Sequence, residues 1–514
     1  MFILQTFASK KPSNIKERGK QTIMGYYKKP VIIRTSTHHP ITNPSIEQLA
    51  IFEHIKTSSK SLIIQALAGC GKTATCVEAM YQLPPNKKIV YVIFANRNAR
   101  EAEGKCPERV DVSTVHAFGL AAIRAAYGKI VIDSKDEKAT AIAVSLIGND
   151  PEKAELIAAY IKALGLAKGY LCETAFDVSE ACIKHDIDMN LCESSEEEFC
   201  SNIIKGMNLS VQQTNRIDFN DMIYFPIKKN LKIKQYDVVF ADECQDLSPA
   251  RVELVLRAVK SDGKLVAVGD ENQAIFGFSG ADKDAMKKLH DRTNADVLSL
   301  NTTYRCAKKI VELAREFVPD YTAYNLNTDG VVENKTQSEM MSNAGPGDLI
   351  LSRTNAPLVG YCLQFLKAGR RANIMGRDMG SSLSYMIKRS KMFNVNSFLL
   401  WLEEWKNLEI KRLSDKKKDY QHITDRYECM IAFCEGTNDL GVVKDNIKKM
   451  FDDKEDSSII TLATCHRFKG MERPTAFILR DTFKPDKGTE ERNIYYVAIT
   501  RAKTHLYIVN GKTN

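Results

Sequence analysis

The chain has 514 residues, of which 44% are apolar and 27% charged, as in a soluble globular protein of roughly two to four domains. It has no run of about 18 apolar residues, which argues against a membrane-spanning helix. Its 13 cysteines include no CxxC pair, and the densest group has no zinc-site spacing (Cys172, Cys182, Cys192 and Cys200). We therefore expect reduced thiols and an intracellular, reducing compartment, without a structural metal at these cysteines.

Charge is concentrated at the start of the chain. The net charge is +9, and residues 1–40 hold eight Lys or Arg side chains against one acid, Glu17. The rest of the chain is therefore nearly neutral, and a nucleic-acid groove would have to be a local patch. The basic tail is typical of a disordered extension, although a nucleic-acid arm or a targeting segment would have the same composition.

The first predicted helix begins after Asn43-Pro44. Ser45 with Gln48 three residues later has the pattern of a capping box. Gln48 could serve that cap alone, or its carboxamide could read an adenine edge, because it offers both a donor and an acceptor.

Residues 61–73, SLIIQALAGCGKT, predict a strand, a loop of small residues and a helix start, which is the order of a P-loop. Unpaired N–H groups at the helix start favour phosphate binding, and glycines let the backbone approach closely. Lys72 would reach the β- and γ-phosphates, and the Thr73 hydroxyl would bind Mg²⁺. The usual first glycine of the motif is an alanine here. The loop residues expected around the phosphates are Ala66, Leu67, Ala68, Gly69, Cys70 and Gly71.

A buried-type strand, residues 236–241, delivers two adjacent carboxylates at its carboxyl end, where open parallel sheets bind ligands. Asp242 would hold Mg²⁺ through water, and Glu243 would position and deprotonate the attacking water. With a P-loop upstream, this pair favours phosphate chemistry over an acidic surface turn.

A further strand, residues 264–268, leads to Gln273, which could sense the γ-phosphate. Phe276 and Phe278 follow at an i, i+2 spacing beside small residues. Such rings can stack on nucleobases, but from the residues alone core packing is the favoured reading.

The second half of the chain repeats the design of strands that end in polar loops. One strand ends at Tyr304 and Arg305, another opens onto residues 464–472, and Arg501 follows an apolar run close to the end. Residues 119–215 show mainly helical periodicity and no catalytic signature, and residues 378–457 are mixed in charge and helical. Trp401 and Trp405 are expected in the core.

Taken together, the motifs resemble the UvrD/Rep/PcrA-type helicases of superfamily 1. The matching stretches occur in the order of the family: Gln48, ALAGCGKT, IFANRNA, TVHAF, DFNDM, FADECQD, GDENQAIFGFSGA, TTYR, LSRTN, TCHRFKGME and YYVAITRAK. They run from about residue 43 to residue 510, and such a series in register is far more specific than any single motif.

The resemblance implies an α/β fold with two RecA-like P-loop NTPase lobes, each a parallel sheet with flanking helices, and two small, mainly helical insertion subdomains. The expected first lobe comprises residues 41–118 and 216–285, with residues 119–215 as its insertion. The expected second lobe comprises residues 286–377 and 458–514, with residues 378–457 as its insertion. ATP and Mg²⁺ would lie between the lobes.

The resemblance also implies roles for individual residues. Gln48 would contact adenine, Tyr304 would stack on it, and Glu472 would bind the ribose. Arg305 and Arg501 would act as arginine fingers from the second lobe, so that hydrolysis requires closure of the lobes. The positions that correspond to DNA contacts are Phe94, Asn96, His116, Phe276, Phe278 and His466.

The activity implied is that of an ATP-dependent DNA helicase, 3′-to-5′, on single-stranded and tailed duplex DNA. Two alternatives stay open: a DNA-stimulated ATPase that displaces proteins with little unwinding, and an RNA helicase. A helicase–nuclease is disfavoured because only 13 residues follow Arg501. Ser279 stands where the family often has Arg, which puts one contact in doubt. The insertions are where replication or repair proteins would bind.

Overall fold

The computed structural model describes residues 38–93, 102–185, 187–189, 195–277, 280–282, 284–415, 420–453 and 456–511. The expected basic tail up to residue 37, and the candidate DNA contacts Phe94, Asn96 and Phe278, lie outside these residues, as does Ser279. Among the helices within these ranges, none combines the length and apolarity that crossing a bilayer requires.

Strands and helices alternate along most of the described chain. The strands are β1 (Leu62–Ala66), β2 (Ile89–Ile93), β3 (Val110–Thr114), β4 (Val131–Ile132), β5 (Arg216–Ile217), β6 (Tyr236–Ala241), β7 (Val259–Gly269), β8 (Asp296–Leu300), β9 (Thr302–Thr303), β10 (Thr322–Ala323), β11 (Val331–Thr336), β12 (Leu349–Ser352), β13 (Ala372–Ile374), β14 (Ile460–Thr464), β15 (Arg473–Leu479) and β16 (Ala502–Asn510).

The helices cover the sheets and build the insertions. They are α1 (Ile46–Thr57), α2 (Lys72–Gln82), α3 (Val115–Tyr127), α4 (Glu137–Ile147), α5 (Ala154–Tyr170), α6 (Ala175–Lys184), α7 (Glu196–Gln212), α8 (Phe219–Lys228), α9 (Pro249–Arg257), α10 (Ala285–Thr293), α11 (Lys308–Ala314), α12 (Gln337–Asn343), α13 (Ala356–Lys367), α14 (Arg377–Ser390), α15 (Val395–Asp415), α16 (Gln421–Cys434), α17 (Leu440–Met450), α18 (Cys465–Phe468) and α19 (Thr489–Ile499).

Two six-stranded parallel sheets form the two lobes. The first has the order β3-β2-β6-β7-β1-β8, and the second has the order β11-β16-β15-β12-β14-β13. Apolar strands such as β2 and β14 are buried along their whole length, as expected when helices cover both faces of a parallel sheet. The expected α/β fold with two RecA-like lobes is confirmed.

The boundary expected between the lobes, at residues 285 and 286, is wrong. Strand β8 pairs in register with β1, from Leu62 opposite Asp296 to Ala66 opposite Leu300, and therefore belongs to the first sheet. Helix α10 packs on β1 and β7 of the same sheet. The first lobe therefore extends to residue 300.

The first insertion is helical, with α4 to α7 around one apolar core. Its expected end at residue 215 is two residues early, because β5, residues 216–217, pairs with β4 inside the insertion. Helix α3 crosses the expected start at residue 119 and packs on α8.

The second insertion, α14 to α17, is also helical, but it does not have a core of its own. Its buried residues, among them Phe398 and Phe433, belong to the same apolar cluster as Ile350 and Leu462 of the second sheet. Helix α16 packs directly on α13 of the second lobe. Trp401 and Trp405 pack at the edge of this core with stacked rings 6.5 Å apart, as predicted.

A single apolar cluster also joins the two lobes. It contains Ile64 and Val268 of the first sheet together with Ile478 and Tyr496 of the second lobe. The carboxyl ends of β1 and β6 and the N-terminus of α2 lie next to this junction, which places the candidate site between the lobes.

Candidate nucleotide-binding and catalytic site

The loop between β1 and α2 leaves its helix end open. Gly69 has φ 69° and Gly71 has φ 77°, both in the left-handed region that favours glycine. Gly71 is the N-cap of α2 and provides no side-chain cap, so the first N–H groups of the helix have no capping oxygen. A Cβ at Gly69 would lie 2.5 Å from Cβ of Arg305, so only glycine lets the second lobe approach this loop.

Three of the predicted phosphate-binding residues lie behind the loop rather than at its open face. Ala66 ends β1 in extended conformation, where the usual glycine is not required. The Leu67 N–H donates to the Leu300 carbonyl at 2.9 Å, and the Ala68 N–H donates to the Tyr496 hydroxyl at 3.2 Å. These two donors are already used, so the loop residues that face the cavity are Gly69 to Thr73.

The carboxylates after β6 meet the loop as predicted. Lys72 Nζ lies 3.3 Å from Glu243 Oε2, and the Thr73 hydroxyl lies 3.5 Å from Asp242 Oδ2. The Tyr91 hydroxyl donates to Asp242 Oδ2 at 2.7 Å, and the Glu243 N–H donates to Asp242 Oδ1 at 2.9 Å. Both oxygens of Asp242 are therefore held in place from the first sheet.

The pKa values of the two carboxylates are shifted in opposite directions. Burial and the neighbouring Glu243 charge raise the pKa of Asp242. Burial alone would also raise the pKa of Glu243, but the ammonium groups of Lys72 and Lys469 outweigh it and lower that pKa to about 2. Burial disfavours the charge of Lys72, yet the carboxylates around it, with Glu243 foremost, raise its pKa. Lys72 and Glu243 are thus both charged at neutral pH.

Residues from the second half of the chain lie across a cavity from the loop between β1 and α2. Arg305 Nε lies 2.5 Å from Glu472 Oε2, and Lys503 Nζ lies 2.7 Å from Glu472 Oε1. The cavity between the walls has a volume of about 420 Å³. Its lining combines the phosphate loop with residues of both lobes: Gly69, Cys70, Gly71, Lys72, Thr73, Ala74, Glu243, Gln273, Tyr304, Arg305, Gly470, Glu472, Arg501 and Lys503.

Arg501 is almost completely buried and links the lobes. Its Nε and Nη1 donate to the carbonyls of Val497 and Met471, which fixes the guanidinium plane. Its Nη2 donates to Gln273 Oε1 at 3.3 Å, and Gln273 Nε2 donates to Asp270 Oδ2 at 2.6 Å. Arg501 and Gln273 therefore meet at the cavity, as their predicted roles require.

Sequence reasoning missed a second link between the lobes. Lys469 Nζ donates to both oxygens of Asp246, at 2.8 and 2.7 Å, and to the Gln273 carbonyl at 2.6 Å. Burial raises the pKa of Asp246 to about 6, although Lys469 opposes this shift. Both residues lie inside quoted motifs, FADECQD and TCHRFKGME, which is the only signal in the sequence that could have found them.

Gln48 takes part in the capping box of α1 and also lies beside the loop between β1 and α2. Its Oε1 accepts from the Ser45 N–H in the predicted capping box, which is confirmed. A Cβ at Gly71 would lie 3.8 Å from Gln48 Nε2 and 4.0 Å from Tyr304 Cδ2. Tyr304 is 39% exposed, and its ring lies 5.0 Å from that of Tyr324. The carboxamide and an aromatic ring thus flank one end of the phosphate loop.

The described candidate DNA contacts fall into two places. Phe276 of the first lobe and His466 of the second have ring centroids 6.4 Å apart, with Lys469 Nζ 4.7 Å from the Phe276 ring centre. His116 lines a separate small cavity between the first lobe and its insertion, together with Arg251. Burial lowers the pKa of His116 to about 4 and that of His466 to about 3. Both rings are neutral at pH 7 and would contact DNA without a charge.

Comparison with known families agrees with this geometry. The model of the UvrD/REP helicase N-terminal domain matches residues 46–294, and that of the UvrD-like helicase C-terminal domain matches residues 460–509. Together the two models match more than half of the chain. The chain belongs to the UvrD/PcrA-type family of superfamily 1 helicases.

Similar proteins to this UvrD-like chain come from bacteria and yeast. F-box DNA helicase protein 1 of Schizosaccharomyces pombe is 24% identical over 90% of this chain and 57% of its own length. ATP-dependent DNA helicase PcrA of Bacillus subtilis is 22% identical over 90% of this chain and 82% of its own length. PcrA of Staphylococcus epidermidis is likewise 22% identical, over 83% of its length. The UvrD-like chain thus spans little more than half of the yeast protein.

Proposed function

We propose that this UvrD-like chain is an ATP-dependent DNA helicase that moves 3′ to 5′ along single-stranded DNA. The observation that carries the proposal is the single cavity lined by Lys72 and Glu243 of the first lobe and by Arg305 and Arg501 of the second. Because the cations come from both sides, the transition state for phosphoryl transfer is stabilised only when the lobes are together. Opening and closing of the lobes then couples hydrolysis to movement along the strand.

The proposed reaction is attack of a water oxygen on the γ-phosphorus of ATP, with cleavage of the bond to the β,γ-bridging oxygen. ADP and phosphate leave, and the proton of the water passes to Glu243 or to the phosphate. In the free protein the pKa of Glu243 is held at about 2, partly by Lys72. When the Lys72 ammonium turns to the phosphates, the carboxylate loses its nearest cation, and its pKa rises toward that of a useful base.

The site also fits Mg²⁺. The Thr73 hydroxyl and the Asp242 carboxylate are both oxygen donors, which Mg²⁺ prefers, and they lie on the same side of the phosphate loop. Tyr91 fixes the carboxylate from behind, as expected for an outer partner of a metal ligand. Thr73 and Asp242, the latter through water, would hold the ion, which would neutralise charge on the β- and γ-phosphates.

We propose the remaining contacts by the same reasoning. Gln48 and Tyr304 bind the adenine, and Glu472 binds the ribose. Phe276, His466 and His116 line the path of the DNA strand. Of these residues, Gln48 lies beside the loop between β1 and α2, and His116 lines the separate cavity between the first lobe and its insertion. The others line the inter-lobe cavity or lie where the lobes meet.

The experiment is strand separation of a duplex with either a 3′ or a 5′ single-stranded tail, with ATP and Mg²⁺. We expect unwinding of the 3′-tailed duplex only. Lys72→Ala should abolish hydrolysis, and Glu243→Gln should keep ATP binding while stopping turnover. Turnover retained by either variant would contradict the assignment of the site.

One observation favours a second candidate function. The second insertion shares the core of the second lobe, so little separate domain is available to engage duplex DNA. A motor of this kind would translocate and displace proteins but unwind poorly. ATPase activity stimulated by the tail without strand separation would favour it, and stronger stimulation by RNA than by DNA would instead indicate an RNA helicase.

A further inference from the structure

The first turn of the phosphate loop is held by hydrogen bonds that come from the second lobe. The Tyr321 hydroxyl donates to the Ala68 carbonyl at 2.7 Å, and the Tyr496 hydroxyl accepts from the Ala68 N–H at 3.2 Å. A carbonyl can only accept and an N–H can only donate, so the direction of both bonds is fixed. Two residues of the second lobe thus bind both backbone polar groups of one loop residue.

These contacts lie out of reach of solvent. Ala68 and Tyr321 are fully buried, and Tyr496 is 1% exposed. The two tyrosine rings pack edge to face, with their centroids 5.9 Å apart. Burial raises the pKa of both phenols well above the usual value, so each hydroxyl stays protonated. Loss of either hydroxyl would leave a buried backbone group of Ala68 without this partner, which costs more than an average hydrogen bond contributes.

The Tyr321 bond fixes the direction of a peptide group beside the cavity. The Cys70 N–H donates to the Leu67 carbonyl at 3.3 Å, which closes a turn with Ala68 and Gly69 as its central residues. Gly69 has φ 69°, as the third residue of a type II turn does. The Ala68 carbonyl and the Gly69 N–H belong to one planar peptide group, in whose usual trans form they point in opposite directions. While Tyr321 holds the carbonyl, the Gly69 N–H therefore points to the other side, and Gly69 lines the cavity.

The loop by itself would oppose a change of this turn only weakly. A type I turn joins the same ends with its central peptide group turned over. Glycine adopts the backbone angles of both turn types readily, so the sequence of the turn does not select one of them. In the type I form the Gly69 N–H would turn away from the cavity, and a phosphate would lose one donor. The Tyr304 N–H donates to the Gly69 carbonyl at 3.0 Å, which is a third bond to this turn from beyond residue 300.

We propose that Tyr321 and Tyr496 are positioning residues that make the shape of the phosphate loop depend on contact between the lobes. With the lobes together, the two hydroxyls hold the turn in the form that directs the Gly69 N–H at a phosphate. When the lobes separate, the hydroxyls withdraw, the turn is free to change, and ADP leaves more readily. This inference rests on the proposed ATPase function. It extends the role of the second lobe beyond its cations, because that lobe also controls the loop that binds the phosphates.

The experiment compares Tyr321→Phe and Tyr496→Phe with wild type, in the full chain with single-stranded DNA. Phenylalanine keeps the ring and removes only the hydroxyl. We expect single-turnover hydrolysis of saturating ATP to slow by about 5- to 50-fold, as for one buried backbone group left without a partner. Release of a fluorescent ADP analogue should become faster, because contact between the lobes no longer holds the loop around the phosphates. Tyr321→Phe should have the larger effect, since its bond fixes the peptide group of the Gly69 N–H.

Tyr495 provides the matched control. It lies beside Tyr496 in α19, is also buried, and packs its ring against those of Phe317 and Phe483. Tyr495→Phe should leave both rates nearly unchanged, and a loss as large as that in Tyr321→Phe would overturn the inference. Unchanged rates in Tyr321→Phe, or slower hydrolysis without faster ADP release, would also overturn it, because the latter indicates general damage to the site. Absence of hydrolysis in the wild type would instead refute the proposed function itself.

Discussion

Two clusters of lysines and carboxylates lie within this chain, and they are built differently. One lines the cavity between the lobes and contains Lys72, Glu243 and Asp242. The other lies where the first insertion meets helix α8 and contains Lys138, Lys168, Asp218 and Asp221. Both join segments that are distant in sequence, and both place opposite charges side by side.

The insertion cluster is closed and saturated. Lys138 Nζ lies 2.7 Å from Asp221 Oδ2, and Lys168 Nζ lies 2.7 Å from Asp221 Oδ1 and 2.9 Å from Asp218 Oδ2. All four side chains are at most 3% exposed. Lys138 also donates to the carbonyls of Ser210 and Gln213, so all three of its N–H groups are used within the protein.

The cavity cluster has longer contacts and an opening. Lys72 lies 3.3 Å from Glu243, Thr73 lies 3.5 Å from Asp242, and Glu243 is 28% exposed toward the cavity. Its cations can therefore exchange a protein partner for a phosphate at low cost. Charge alone therefore does not mark a site: short, buried ion pairs indicate a stabilising role, whereas longer contacts at a cavity indicate binding.

The largest effect should come from the open cluster. Arg305→Ala removes a cation that would face the γ-phosphate, and we expect DNA-stimulated ATP hydrolysis to fall by about 10³- to 10⁵-fold. The free energy of unfolding should change little, because the side chain is partly exposed. Steady-state hydrolysis and chemical denaturation on the same preparation check this. Substantial hydrolysis by a folded variant would mean that Arg305 is not a finger.

The closed cluster should respond in the opposite way. Lys168→Met leaves the buried Asp218 and Asp221 without one of their cations, and we expect a loss of about 3–5 kcal/mol in the free energy of unfolding. Hydrolysis per folded molecule should stay within about twofold of wild type. A strong loss of hydrolysis without a loss of stability would contradict this, because the closed cluster would then contribute to activity rather than to stability.

The inter-lobe pair Asp246–Lys469 should give an intermediate, pH-dependent effect. The pKa of Asp246 in the folded state is raised to about 6, above its usual 3.8, so the folded protein binds a proton more readily than the unfolded chain. This group therefore adds stability as the pH falls from 7 to 5, by about 1 kcal/mol. Asp246→Asn should remove that increment in denaturation curves at the two pH values. An equal pH dependence in both proteins would show that another group titrates.

The smallest effect should come from an exposed pair. Lys60 Nζ lies 2.9 Å from Asp296 Oδ1, and both side chains are about half exposed. Lys60→Ala should change the free energy of unfolding by no more than about 0.5 kcal/mol, because water and salt screen the pair. A loss above about 1 kcal/mol in the same denaturation assay would show that an exposed ion pair also stabilises the protein strongly, and burial would then not explain the effect of Lys168→Met.

Local features of this chain could be predicted from its sequence. The phosphate loop was readable because Gly69, Gly71 and Lys72 follow a buried strand directly, and Asp242 and Glu243 were readable because a strand of apolar residues delivers them. Each of these signals needs only neighbouring residues. The capping box of Ser45 and Gln48 was predicted for the same reason.

Features that depend on distant partners could not be predicted. The sequence predicts residues 296–300 in the second lobe because nothing in these residues reveals that they pair with β1. Lys469 and Asp246 are separated by 223 positions. From sequence alone, a lysine in a predicted loop is expected to be solvent-exposed, and only the fold shows that it lies next to Asp246. Ala66 to Ala68 match the motif, yet their backbone groups are taken up by Leu300, Tyr321 and Tyr496, which lie far away in the chain.

In the proposed mechanism, the first lobe binds the nucleotide and the second lobe triggers its cleavage. The most direct measurement is ATP affinity together with single-turnover hydrolysis in Arg501→Lys, in the presence of single-stranded DNA. Lysine keeps the charge but not the planar fork. We predict an affinity within about threefold of wild type and hydrolysis slower by about 10²-fold or more. Hydrolysis at the wild-type rate, or a loss confined to affinity, would contradict the account.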